Sequence, residues 1–179
     1  MRKFNLGLIL LFMAVIMGLQ GCIRDSASFV VDTFTEMVIP AGLSADRTLS
    51  FTPRVFFPYS QQLSLNNISP ENVESVNGAL GLATPQFNAI TDLSFIAEIE
   101  IDVLDPTNPQ SGREIFHYVQ RDFRRRSELE LTPSIPNVRD LIVDDMLFLK
   151  IDVSFNTPPP ATFTLIYDLQ LAVFEMEDM

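Results

Sequence analysis

The segment Arg121-Asp122-Phe123-Arg124-Arg125-Arg126 holds four of the chain's 12 basic residues in six positions, with Arg113 a short way upstream. Guanidinium groups form planar forks that grip carboxylates and phosphates bidentately. Arg121, Arg124, Arg125 and Arg126 therefore suit a lipid headgroup phosphate, an acidic glycan or a carboxylate cluster on a protein. The competing reading is a hairpin connection whose arginines pair with neighbouring acids or stay in water. Other chemistry is sparse. His117 is the only histidine; as a general base it would need a carboxylate and a serine beside it. No Gly-x-Ser-x-Gly turn accompanies it, and the bland alternative is an ordinary strand histidine. One His and one Cys exclude the usual zinc sites.

Acidic residues are plentiful. Asp102 and Asp105 flank a turn, and Asp140, Asp144 and Asp145 cluster ahead of a strong strand. Calcium takes six to eight oxygens, but no Asp-x-Asp-x-Asp-Gly loop is present. The pattern reads as solvated acidic turns, with calcium possible and unsupported. A hydrolase could draw its carboxylate pair from the same residues, yet Glu98 and Glu100 share a face merely because strands repeat every two residues. Neither a catalytic residue nor a metal or other cofactor is assigned. For carbohydrate stacking the chain has no Trp, leaving Phe56 and Tyr59 as the exposed aromatic candidates.

The lone cysteine has a more specific context. Arg2 and Lys3 precede an apolar run from Leu6 to Leu19, and Gln20 and Gly21 precede Cys22. A basic start, a short apolar core and a small residue before the cut make a secretory signal. The run is too short for a spanning helix, which needs about 20 apolar residues. Leu19-Gln20-Gly21-Cys22 resembles the lipobox of bacterial lipoproteins. The resemblance implies cleavage before Cys22, a diacylglycerol on its sulfur and an acyl chain on its new amine, with the cell envelope as destination. Ile23 rather than Asp after the Cys implies, by the same resemblance, delivery to an outer membrane. The expected partners are therefore that membrane, through the lipid, and an envelope protein or glycan.

Without the leader, ten basic residues face 23 acidic ones. Such a surface repels phosphate backbones and excludes nucleic acid as a partner. The expected organisation is a signal peptide over 1–21, a lipidated Cys and tether over 22–27, and one domain over 28–179. A domain of about 150 residues buries roughly 70% of its unfolded surface and needs no disulfide or metal to fold. The five residues from Ile23 to Ala27 reach at most about 17–18 Å, so the domain would sit close to the membrane.

Period-two alternation positions all these residues. It is strongest over Leu147–Phe155, Phe163–Val173, Phe95–Val103 and Leu49–Phe57. Weaker strands are predicted over Phe29–Ile39, Val73–Ala83, Glu114–Val119 and Ser127–Leu131. Pro53 predicts an edge or a bulge. Short helical turns are predicted after Ser69 and within Asn137–Val143. The fold expected is all-β: an antiparallel β-sandwich of about eight strands with one or two short helical turns. Functionally, the chain reads as an anchored, non-catalytic binding or scaffolding module. A surface adhesin or glycan-binding module and a carboxylate hydrolase are the alternatives.

Overall fold

Every segment predicted as strand from its alternation contains strand. The computed structural model describes residues 27–88, 91–122 and 124–176. In chain order they form β1 (Phe29–Ile39), β2 (Leu49–Phe51), β3 (Arg54–Phe56), a short helix α1 (Tyr59–Leu65) and β4 (Val73–Pro85). There follow β5 (Ile96–Asp105), β6 (Asn108–Val119), β7 (Leu129–Pro133), β8 (Met146–Phe155) and β9 (Phe163–Glu175). Short 3-10 turns at Pro70–Asn72 and Arg139–Leu141 stand where helical turns were predicted.

All pairings are antiparallel and run β1-β9-β4-β7-β6-β5-β8-β2, with β3 also on β8. The result is an all-β fold in which one sheet curls into a half-barrel around a single core. Its corner is β7, which pairs with β4 through Leu129–Leu131 and with β6 through Thr132 and Pro133. Pro133 lacks an N–H and can carry that ladder little further. At the two ends of the sheet β1 and β3 meet without a ladder: Thr33 Oγ1 donates to the Phe56 carbonyl over 2.8 Å. The core takes one face of every long strand, including Ile99, Ile101, Leu149, Ile151, Leu169 and Leu171. Tyr167 is fully buried there, with its hydroxyl on Met37 Sδ at 3.7 Å; burial drives its pKa well above the usual phenol value.

Three local outcomes differ from expectation. Pro53 splits one predicted strand into β2 and β3, both on β8 at the sheet's end, while its carbonyl accepts from Leu149 N. Phe51, expected inside, is 37% exposed because β2 is a three-residue terminal strand. Residues Asn108–Arg113, ahead of the strand predicted over Glu114–Val119, already belong to β6. The turn itself is only Pro106-Thr107, held by the Asp105 carboxylate accepting from Thr107 N at 2.7 Å. Residues Asn108–Gly112 are exposed and show no alternation.

Candidate functional site

Strand directions decide where the candidate residues lie. Antiparallel pairing puts the start of β1 at one end of the half-barrel, with the end of β9, the start of β4 and the β5–β6 turn. The connection from β6 to β7, residues 120–128, leaves from the opposite end, beside the starts of β5 and β9. At about 3.3 Å per residue, the 11 residues of β1 separate these ends by roughly 35 Å.

Residues 120–128 carry the arginines. The loop is pinned at its base by Gln120 N donating to Ala97 O (2.8 Å) and Leu93 N donating to Arg126 O (2.7 Å), and by Asn156 Nδ2 donating to Gln120 Oε1. Arg126 turns back onto Asp122, Nη2 to Oδ1 at 3.0 Å. That bond holds the Asp122 carboxyl below its usual range and raises Arg126. Arg124 shares Asp122 at 3.4 Å, and Arg125 approaches Asp92 at 3.8 Å. Their side chains remain 85% and 91% exposed. Pairs this long between side chains in water are weak, so an anion presented by a partner displaces them at little cost. Arg121 is exposed and enters no ion pair among the described residues. A depression of 510 Å³ lies alongside, lined by Asp92, Phe95, Thr157 and Pro158 among others. The cluster is thus part patch and part salt bridge: Arg126 is structural, whereas Arg121, Arg124 and Arg125 are presented.

The acidic candidates serve the backbone or one another. Asp140 forms a bidentate pair with Arg113, Nη2 to Oδ2 at 2.8 Å, which holds its carboxyl low. Asp144 and Asp145, both at positive φ, form a two-residue turn closed by Val143 and Met146. Asp145 Oδ1 also accepts from Ser60 N at 2.8 Å. Asp102 lies on the outer face of β5, where Glu100 stands opposite His117 and Asp152. Burial, then the charges of Asp102, Glu114 and Asp152, push Glu100 upward; burial is also the main cause of the rise at Asp102. Lys150 offsets part of this, donating to Asp152 Oδ2 at 2.7 Å. Among the described residues no group of three or more His, Cys, Asp or Glu is placed to hold a metal ion.

His117 does have a carboxylate and a serine beside it. Its Nδ1 lies 3.1 Å from Glu114 Oε1, and Ser134 Oγ donates to that same oxygen. Ser134 Oγ also lies 3.4 Å from His117 Nδ1, so the three side chains form one cluster in which the serine hydroxyl donates to the carboxylate. Of the aromatic pair, Phe56 is 62% exposed, but Tyr59 stacks on the buried Phe57 at 6.0 Å and offers no platform. Cys22 and Phe123 lie outside the described residues. Among those described, no helix is long and apolar enough to cross a membrane.

One group of surface residues escaped the sequence reading: Val30, Phe34 and Val38 point outward from β1 and are 44%, 73% and 59% exposed. The signal for them was the weakness of alternation there, since both faces of β1 carry apolar residues. Comparison with protein-family models, curated proteins and solved structures returns no match.

Proposed function

We propose that the protein is a lipid-anchored, non-catalytic binding module of the bacterial envelope, held at the outer membrane through Cys22 and engaging an anionic partner through Arg121, Arg124 and Arg125. The observation that carries this reading is the opposition of two ends. The chain enters the fold at the start of β1, seven residues after Cys22, and the arginine loop leaves from the far end. Two or three acyl chains anchor a protein almost permanently, since each buried methylene contributes about 0.8 kcal/mol. With the half-barrel standing on its tether, the exposed guanidinium groups face away from the anchoring bilayer. That geometry favours carboxylates or phosphates of an envelope protein or glycan over headgroups of the same membrane.

Metabolic labelling with an alkynyl fatty acid tests the anchor. The wild-type chain is expected to carry label and sediment with outer membranes, and Cys22→Ser to be unlabelled and soluble. An unlabelled wild type, or a labelled Cys22→Ser, overturns it. For the loop, a photo-cross-linking residue replacing Arg121 is expected to capture a partner in intact cells. Arg124→Glu with Arg125→Glu should abolish that capture and leave the circular dichroism unchanged; undiminished capture refutes the loop as the binding element.

A further inference from the structure

The outer face of β1, β9 and β4 is decorated in a way the fold does not require. The core is served by the inner faces, yet Phe34, Val38 and Leu80 project outward. Cross-strand register joins them into rows: Phe34 with Asp168 and Leu82, then Asp32 with Gln170 and Leu80, then Val30 with Ala172 and Asn77. Two adjoining depressions mark this face. One of 280 Å³ lies between Phe34 and Leu80 over Asp168 and Gln170. The other, of 640 Å³, is floored by Gly78, Ala79 and Ala172 and walled by Phe174 and Ile135, the latter 87% exposed.

The three strands of this face carry charge of one sign, with Arg139 beside the start of β4. β1, β4 and β9 contain no Lys or Arg, while Asp32, Glu36, Glu74 and Asp168 are exposed on them. Along β1 the outward side chains run Val30, Asp32, Phe34, Glu36, Val38. Apolar and acidic groups thus alternate at about 7 Å, the repeat of every second residue in a strand.

We propose that this face docks an extended segment of another protein whose facing side chains alternate apolar residues with Lys or Arg. Charge complementarity selects that occupant. A second copy of the chain would bring Asp32, Glu36 and Asp168 against their own kind, and opposed like charges cost several kcal/mol. A lipid surface would meet carboxylates without the Trp, Tyr, Lys or Arg that anchor proteins at the interface, and anionic headgroups would repel it. A basic amphipathic strand satisfies both the carboxylates and the apolar groups, and its register matches at the same 7 Å. The proposal draws on neither the lipid anchor nor the arginine loop.

The test uses fluorescent peptides of Leu-Ser-Lys-Ser repeats, whose alternate residues present Leu and Lys in turn, with Leu-Ser-Glu-Ser repeats as the control. Binding to the intact Cys22→Ser protein is read by anisotropy at moderate salt. The Lys peptide is expected to bind and the Glu peptide to bind at least 10-fold more weakly. Phe34→Ser, and separately Asp32→Lys with Glu36→Lys, should each weaken the Lys peptide at least 10-fold. Glu98→Lys with Glu100→Lys, on the other outer face, should change it less than 2-fold. Should either β1 variant fail to fold by circular dichroism, Val38→Ser takes its place with the same expectation. Equal binding of both peptides, or a loss that follows Glu98 and Glu100 instead of β1, overturns the proposal. So does a Phe34-dependent dimer in sedimentation, or Phe34-dependent binding to phosphatidylcholine vesicles.

Discussion

The two outer faces of the half-barrel follow opposite rules although the inner faces are alike. Outside β5, β6 and β8 the surface is a ladder of charges: Glu100 lies across from Asp152 and His117, and Asp102 across from Lys150 and Glu114. Outside β1, β4 and β9 it is apolar with an acidic edge. An antiparallel sheet covering one core needs only a wet outer face, and the charged side satisfies that need even with mutual repulsion among its carboxylates. The apolar side does not. Water-facing Phe34, Val38 and Leu80 gain nothing for the folded monomer, which is why contiguous patches of this kind mark interaction surfaces.

Substitutions can break or sharpen this contrast. The largest effect is expected at Gly78, in the floor of the apolar-side depression. A methyl group there would lie 2.5 Å from the Ile115 carbonyl oxygen, which is backbone and cannot yield. Gly78→Ala should cost about 1–3 kcal/mol in urea unfolding. Its counterpart Gly112→Ala meets mainly the end of the Leu104 side chain at 3.1 Å and should change stability by less than about 1 kcal/mol. Equal losses at the two would mean that the apolar face owes nothing to this close approach.

Glu100→Gln should raise stability at neutral pH by about 0.2–1 kcal/mol by removing like-charge neighbours across the strands. The pH dependence separates the regions further. Glu100 and Asp102 have raised pKa values in the folded state, so the native state holds their protons more tightly than the unfolded chain. Their contribution favours folding at low pH and falls as pH rises from the ordinary carboxylate range through the raised values. Asp140 is lowered. Its contribution is present above the ordinary range and is lost as pH falls through the depressed value. Unfolding of Glu100→Gln should therefore flatten the loss on the alkaline side of that range, and Asp140→Asn the loss on the acid side. Identical pH profiles for the two variants would contradict the assigned pairings. At neutral pH Asp140→Asn itself should cost about 0–1 kcal/mol, the usual worth of an exposed pair.

Phe34→Ser should be the smallest effect on stability, within about 0.5 kcal/mol, because the ring already faces water. A loss of several kcal/mol would show that Phe34 belongs to the core and erase the contrast between the faces.

Legibility followed burial. Where one face of a strand is polar, as in β8 and β9, alternation alone found it, and even β1 was bounded correctly at Phe29 and Ile39. Pro53 signalled the edge position of this segment, though not its division into β2 and β3, because a missing N–H is a local property. The helix α1 was missed: its sequence is mostly polar, only Leu63 is buried and no side chain caps its start. The start of β6 was missed for the same lack of inward residues. The arginines were visible as a cluster, yet which of them are presented depended on where Asp92 and Asp122 lie. Pairing across 33 residues, as between Arg125 and Asp92, has no local signature.

The register of β1 on β9 has a mechanical meaning. All 11 residues of β1 are paired, from Phe29 with Val173 to Ile39 with Phe163. A pull entering at Ser28 and resisted at the arginine loop runs along the strand axes, perpendicular to the ladder bonds. Such a force shears the whole ladder at once instead of unzipping it bond by bond. Held between a surface below and a ligand above, the half-barrel would act as a stiff strut, and its first strand as the last part to give way.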